Sequence, residues 1–198
     1  MIETTQSVEN DSNAVLYVMD ETGLRTESDN RRSWSLKGLS PTLESNGSHA
    51  GLNIIGATEI TKNYDTISDV YSADHSITNV EIEAFIEHLL ELNPNKKVYL
   101  VLDNAPTHNN KKIQAYWSKH TEQLVLINTA RYSPQLNPQE NIWKLLKDKI
   151  FSTKARAAID DLYNDVLNIY KHLNEYKDII KSIVNPRNYY FKTNLKYT

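Results

Sequence analysis

Three acids in this sequence stand where a metal-dependent chemistry would need them. Asp20 follows the apolar run AVLYVM (Ala14–Met19), and Asp103 follows KVYLVL (Lys97–Leu102). Glu140 comes just after QLVLIN (Gln123–Asn128) and its loop. Short apolar runs bounded by polar residues predict buried strands. Ligands of sheets with parallel strands bind at the strands' carboxyl ends. Carboxylates converging there repel one another unless a cation lies between them. Hard oxygen donors of this kind suit magnesium or manganese. Two such ions about 3.5–4 Å apart activate an attacking oxygen and stabilise a leaving one. The arrangement therefore points to nuclease or strand-transfer chemistry. A structural reading of each acid stands beside it. Asp ends strands as an ordinary turn residue, and Asp103 is followed by Asn104. Asn137 as cap, Pro138 at the first helical position and Glu140 at the third explain Glu140 by helix capping. Spacing alone leaves both readings open.

The elements that must hold these acids follow from the pattern. Residues 1–13 read as a flexible lead. After the first strand, RRSWSLK (31–37) suggests a second, and HAGLNIIGATEI (49–60) a third, weakened by two glycines. Residues 61–77 show no period and suggest strand edges or a mobile connection. Thr78 and Glu81 form a capping-box pattern, followed by Ile82, Phe85, Ile86, Leu89 and Leu90 at helical spacing. A short helix is expected over 110–119, with Ile113, Tyr116 and Trp117 inward. Another starts at Asn137–Pro138, with Ile142, Trp143, Leu145, Leu146 and Ile150 buried. One last helix is expected over 155–180. Its seam of Ile159, Leu162, Val166, Ile169, Leu173, Tyr176 and Ile180 either covers a side of the domain or forms a dimer face. Residues 185–198 form a basic, aromatic tail. Strands first, then strands alternating with helices, imply a mixed sheet with helices packed on it.

Composition bounds the rest. The 198 residues suffice for one domain with a sizeable core. There is no cysteine, which excludes disulfides, zinc–thiolate sites and thiol nucleophiles. No apolar run approaches the roughly 18 residues of a membrane span. The polar, acidic start is not a secretory signal, and a cytoplasmic location is expected. The net charge of −3 is low for a dedicated nucleic-acid module. Positive charge is nonetheless concentrated. Lys144, Lys147, Lys149, Lys154 and Arg156 stand against Asp148 alone between 142 and 157, and 181–198 hold four basic residues and no acid. Such a side can face a phosphate backbone, or it can be an ordinary solvated face.

Three stretches together resemble the DDE transposases of the mariner-like bacterial insertion-sequence group. They are Val18-Met-Asp20-Glu21-Thr22-Gly23 followed by Trp34, then Leu102-Asp103-Asn104-Ala105-Pro106-Thr107-His108, then Tyr132-Ser-Pro-Gln-Leu-Asn137-Pro-Gln-Glu140-Asn-Ile-Trp143 continuing to Lys147. The third is the most specific, and the likeness spans about residues 14–150. The resemblance implies an α/β, RNase H-like fold: a mixed five-stranded sheet with helices on both faces. A catalytic domain over 14–152 and a C-terminal helical segment over 153–184 follow. It implies Asp20, Asp103 and Glu140 as the catalytic, metal-binding triad for two Mg2+ or Mn2+ ions. Water would cut a phosphodiester at the transposon end, and the freed 3′ hydroxyl would attack target DNA at a TA step. Asn104, His108, Lys144 and Lys147 are the candidate substrate contacts. Lys144 and Lys147 lie one and two turns beyond Glu140 on its side of the helix. His108 has an equal reading as a helix-start histidine satisfied by backbone groups. Trp34 and Trp143 read as core. Glu21, next to Asp20 on a strand, is expected to point to the opposite face.

One departure shapes the expected partners. Transposases of this group carry an N-terminal helix-turn-helix, and 19 residues before Asp20 leave no room for one. A fragment, an element encoding its halves separately, or a decayed copy would explain this, the second implying a separate DNA-binding chain. DNA, a homodimer and a bacterial, nucleoid-associated setting are expected, and no membrane. The competing functions are a simpler RNase H-like nuclease and a non-catalytic remnant or regulatory module that dimerises through residues 155–180.

Overall fold

The structure is a computed structural model that describes residues 2–27, 36–39, 45, 47–105, 108, 111–129, 136–150 and 155–188. Five strands form one sheet: β1 (Ala14–Arg25), β2 (Gly51–Glu59), β3 (Thr66–Ser72), β4 (Lys97–Leu102) and β5 (Leu124–Asn128), in the order β3-β2-β1-β4-β5. β1, β2 and β3 pair antiparallel, while β4 runs parallel to both β1 and β5. The helices are α1 (Ile2–Asn10), α2 (Asn79–Glu91), α3 (Lys111–Trp117), α4 (Gln139–Lys149), α5 (Ile159–Lys171) and α6 (Lys177–Val184).

Side chains alternate across the sheet because strand geometry has a period of two. Leu16, Val18, Ile54 and Val101 face one side, packed with Trp143, Leu146, Leu162, Val166, Ile180 and Val184. Val15, Met19, Ile55, Leu100 and Leu102 face the other, packed with Ile82, Phe85, Ile86, Leu89 and Ile113. We call these the Trp143 face and the Phe85 face. α4, α5 and α6 cover the first, α2 and α3 the second, so the mixed sheet has helices on both sides as expected.

The α2 capping box forms as its sequence dictates: Thr78 Oγ1 accepts from Val80 N–H (3.2 Å), and Glu81 Oε2 accepts from Thr78 N–H (2.8 Å). Three other expectations change, and the alternative left open for 61–77 is decided. Residues 2–10, expected to be part of a flexible lead, form a helix that buries Thr5 and Val8. β1 does not stop before Asp20; it continues to Arg25, because β2 pairs with it through Arg25↔Gly51 after its pairing with β4 has ended. Residues 61–77 contain an edge strand, β3. The turn before it is organised by the buried Glu59 carboxylate, which accepts from the N–H groups of Thr61 (2.8 Å), Lys62 (2.9 Å), Asn63 (2.6 Å) and Tyr64 (3.0 Å). The single helix expected over 155–180 is broken by a 3-10 turn at Leu173–Tyr176. The break lets α5 and α6 press onto one core: Tyr170 and Ser68 share a hydroxyl hydrogen bond (2.7 Å), and Asn141 Nδ2 donates to the Ile183 carbonyl (2.8 Å). The seam thus covers its own domain. The strand expected over 31–37, with Trp34, falls almost wholly outside the described residues, as does 189–198 of the tail. No helix among the described residues is long and apolar enough to cross a membrane.

Candidate functional site

Sheet register carries the first two acids just past the end of the same parallel pairing. The last parallel pair between β1 and β4 is Val18↔Val101, and Asp20 and Asp103 each lie two residues beyond it. Asp20 shares the parity of Leu16 and Val18, so its side chain rises on the Trp143 face. Opposite it on β2 stands Gly56, and beyond that Ser68 on β3.

The third acid arrives on α4, which is seated over this spot by three contacts. Asn137 Nδ2 donates to the Met19 carbonyl (2.8 Å), and its Oδ1 accepts from Gln139 N–H (3.1 Å), while the cap position itself falls on Pro138, one residue later than expected, with no side-chain cap bond. Trp143, fully buried, donates its indole N–H to Asp20 Oδ2 (3.1 Å). Its ring reaches the sheet because Gly56 has no side chain: a Cβ there would stand 2.4 Å from Trp143 Cη2. Glu140 lies in the first turn of α4. Its carboxylate makes no capping bond among the described residues, so capping by Asn137 does not account for it.

Burial, then the negative charges of Glu21 and Glu140, push the Asp20 carboxyl up to about 7, against the backbone N–H of Glu21 and the Trp143 indole. A carboxylate so placed is relieved by a cation. Hard oxygens from Asp20 and Glu140 fit a magnesium- or manganese-type ion by donor chemistry.

Asp103 is supported from the other face. Its Oδ1 accepts from Ala105 N–H (2.8 Å) and from His108 Nδ1 (2.7 Å). His108 Nε2 reaches Glu21 Oε1 (2.8 Å), and the imidazole is 1% exposed. Burial alone would push that ring down. The Glu21 hydrogen bond and charge, then those of Asp103, overcome it and raise the ring to about 9. His108 is therefore an imidazolium between two carboxylates at neutral pH, partnered by neither backbone groups nor an open surface. Asn104 donates its amide to the Thr129 carbonyl (2.7 Å), tying the end of β4 to the end of β5. Lys144 is exposed and Lys147 half-buried, and neither makes an ion pair among the described residues.

The structure thus joins Asp20 to Trp143, on the helix that carries Glu140, and Asp103 to His108 and Glu21. Among the described residues no group of three or more His, Asp or Glu side chains is positioned to hold one metal ion. Glu21 does point to the Phe85 face as its position requires, but the sequence reading missed that His108 would meet it there. The adjacent pair Asp20–Glu21, which puts one carboxylate on each face, was the available signal. Gly56 was also missed as a site residue; a glycine inside a strand marks close approach of another group.

Known proteins are similar to this chain in sequence and in fold. An uncharacterised protein of Sinorhizobium fredii, y4pE/y4sA, is 30% identical over 86 residues, 41% of this chain and 60% of its own length. The Mos1 mariner paired-end complex with Mn aligns with a TM-score of 0.61 at 13% identity, over 99% of this chain and 60% of that one. The Mos1 strand transfer complex aligns with a TM-score of 0.59 at 12% identity, over 100% and 60%. The catalytic domain of Mos1 mariner transposase aligns with a TM-score of 0.54 at 10% identity, over 92% and 81%. The fold is accordingly the RNase H-like fold of a transposase catalytic domain, and the chain spans about 60% of the curated relative and of the full Mos1 chains. The family of DDE superfamily endonucleases matches residues 15–162, three quarters of the chain and all three acids, and this chain belongs to that family.

Proposed function

We propose that this chain is the catalytic domain of a DNA transposase, with Asp20, Asp103 and Glu140 as its metal-binding carboxylates. The observation that supports this reading is the parallel pairing of β1 and β4, which ends two residues before both Asp20 and Asp103, together with the Trp143–Asp20 hydrogen bond that ties the helix carrying Glu140 to β1. Divalent magnesium or manganese, as two ions, would supply Lewis acidity to the attacking and leaving oxygens of a phosphodiester. The chain's own residues hold the geometry. Trp143 and Asn137 fix Asp20 relative to α4, His108 fixes Asp103, and Lys144 and Lys147 extend from Glu140 toward where a phosphate backbone would run. The substrate is DNA: first hydrolysis at a transposon end, then attack of the 3′ hydroxyl on a target TA step. A homodimer, with end recognition supplied by a helix-turn-helix outside residues 14–188, completes the proposal.

The test is a nicking and strand-joining assay on duplex DNA carrying the element's ends, with Mg2+ or Mn2+. Wild-type protein should nick only with the divalent ion. Asp20→Ala, Asp103→Ala and Glu140→Ala should each abolish product while keeping the far-ultraviolet circular dichroism of the parent. Wild-type nicking by any of the three would remove that residue from the triad. Divalent-dependent nicking without strand joining would favour a simple nuclease.

A further inference from the structure

We infer that Glu21 is a positioning residue, holding Asp103 in place for its ligand role through His108. The inference rests on the triad reading above and adds a residue to it. His108 lies buried between the two carboxylates, 2.7 Å from Asp103 Oδ1 and 2.8 Å from Glu21 Oε1. A ring held at both nitrogens cannot rotate. Asp103 itself follows the last residue of β4, where no strand pairing fixes its side chain, so its orientation must come from elsewhere. Two donors on Oδ1, Ala105 N–H and His108, supply it. Asp103 Oδ2 accepts no hydrogen bond among the described residues and is left for another ligand. Glu21 is well placed to anchor the chain, because it lies on β1, in the middle of the sheet, and pairs with Ile55 of β2. The rigid centre of the sheet thus reaches Asp103 by way of an imidazole. Groups that hold a ligating carboxylate from behind commonly set metal affinity.

The experiment is Mn2+ binding to the full chain without DNA, followed by loss of the free-ion electron paramagnetic resonance signal. Glu21→Leu, which cannot accept from His108, should weaken binding on the order of 10- to 100-fold, and His108→Ala should do the same. In the His108→Ala background, Glu21→Leu should cost nothing more. A further loss there would show Glu21 acting by its own charge and overturn the inference. Glu21→Asp keeps the charge but shortens the side chain beyond reach of His108, so it should bind as weakly as Glu21→Leu. Wild-type affinity in Glu21→Asp or Glu21→Leu would also overturn it. Asp103→Ala separates the two levels. If it binds Mn2+ as wild type does, the triad reading fails. If it loses binding while Glu21→Leu does not, the positioning role alone fails.

Discussion

Replacing Gly56 by alanine tests how Asp20 is held. The added Cβ would stand 2.4 Å from Trp143 Cη2, 3.0 Å from Ser68 Oγ and 3.1 Å from Gln139 Nε2. Carbon atoms in contact prefer about 3.5–4.0 Å, so the indole must retreat by about 1 Å. β2 cannot yield instead, because it is paired on both sides by β1 and β3. Trp143 is fully buried, so its retreat overpacks the Trp143 face, at a cost of about 1–3 kcal/mol. The same movement takes the indole N–H out of range of Asp20 Oδ2, now 3.1 Å away, and a lost hydrogen bond to a carboxylate costs about 1.5–3 kcal/mol. We expect a total of about 2.5–6 kcal/mol, which in a domain of this size lowers the melting midpoint by about 5–24 °C. Gly23→Ala is the matched control on β1: its nearest neighbours would be Asn53 Oδ1 at 3.7 Å and the Leu52 carbonyl at 4.0 Å, so it should change stability by less than about 0.5 kcal/mol. Thermal unfolding by circular dichroism reads both. A nicking assay below the midpoint reads the second consequence, since a displacement of about 1 Å in a catalytic group costs on the order of 100-fold in rate. Equal midpoints for the two variants would refute the packing argument. A destabilised Gly56→Ala that still nicks at the wild-type rate would refute the claim that Trp143 positions Asp20.

Two further predictions concern the same face. Asp20 has its folded-state pKa raised from 3.8 to about 7, chiefly by burial. Between those values the native state keeps a proton that the unfolded chain has released, so this group's contribution falls as pH rises from about 4 to 7, by up to about 4 kcal/mol. Without divalent ions, the stability difference between Asp20→Asn and wild type should therefore grow in the variant's favour across that range in urea titrations, and a constant difference would contradict it. Gln139 is fully buried, and both polar atoms of its amide lack a hydrogen-bond partner among the described residues. Gln139→Met, of similar volume, should stabilise the protein by about 1–2 kcal/mol; a destabilised variant would mean that the amide is satisfied in solution.

What could be read in the sequence was local. The α2 box needs only Thr78 and Glu81, three residues apart, and the apolar positions that follow it are the ones buried. β4 matches its apolar run, Lys97–Leu102, residue for residue. The elements that were missed or left open draw their order from elsewhere. β3 is half-buried along nearly its whole length and owes its register to β2. α1 buries only a small part of its surface and so carries little periodic signal. The break at Leu173–Tyr176 interrupts a seam whose spacing continues straight through it, and only the shape of the core under α5 and α6 requires it. In the candidate site, the positions of Asp20 and Asp103 in the fold were legible because each follows a strand-like run, whereas the pairing of His108 with Glu21 depends on how the chain after β4 brings His108 beside β1.

The support of the acids divides by face. Asp20 and Glu140 depend on α4, through Asn137, Trp143 and the space left by Gly56, all on one side of the sheet. Asp103 depends on His108 and Glu21, on the other side. Among the described residues the element common to both sets is β1, which carries Asp20 and Glu21 as neighbours pointing in opposite directions. Moving β1 by one residue against β4 would exchange the faces of Asp20 and Glu21 and dismantle both sets at once. Apolar character alone does not forbid that slip, because every side chain from Val15 to Met19 is buried on one face or the other. Shape forbids it: the slip would press Tyr17 and Met19 into the spaces that Leu16 and Val18 fill on the Trp143 face. The packing of β1 thus fixes which of its two adjacent acids lies beneath α4 and which one meets His108.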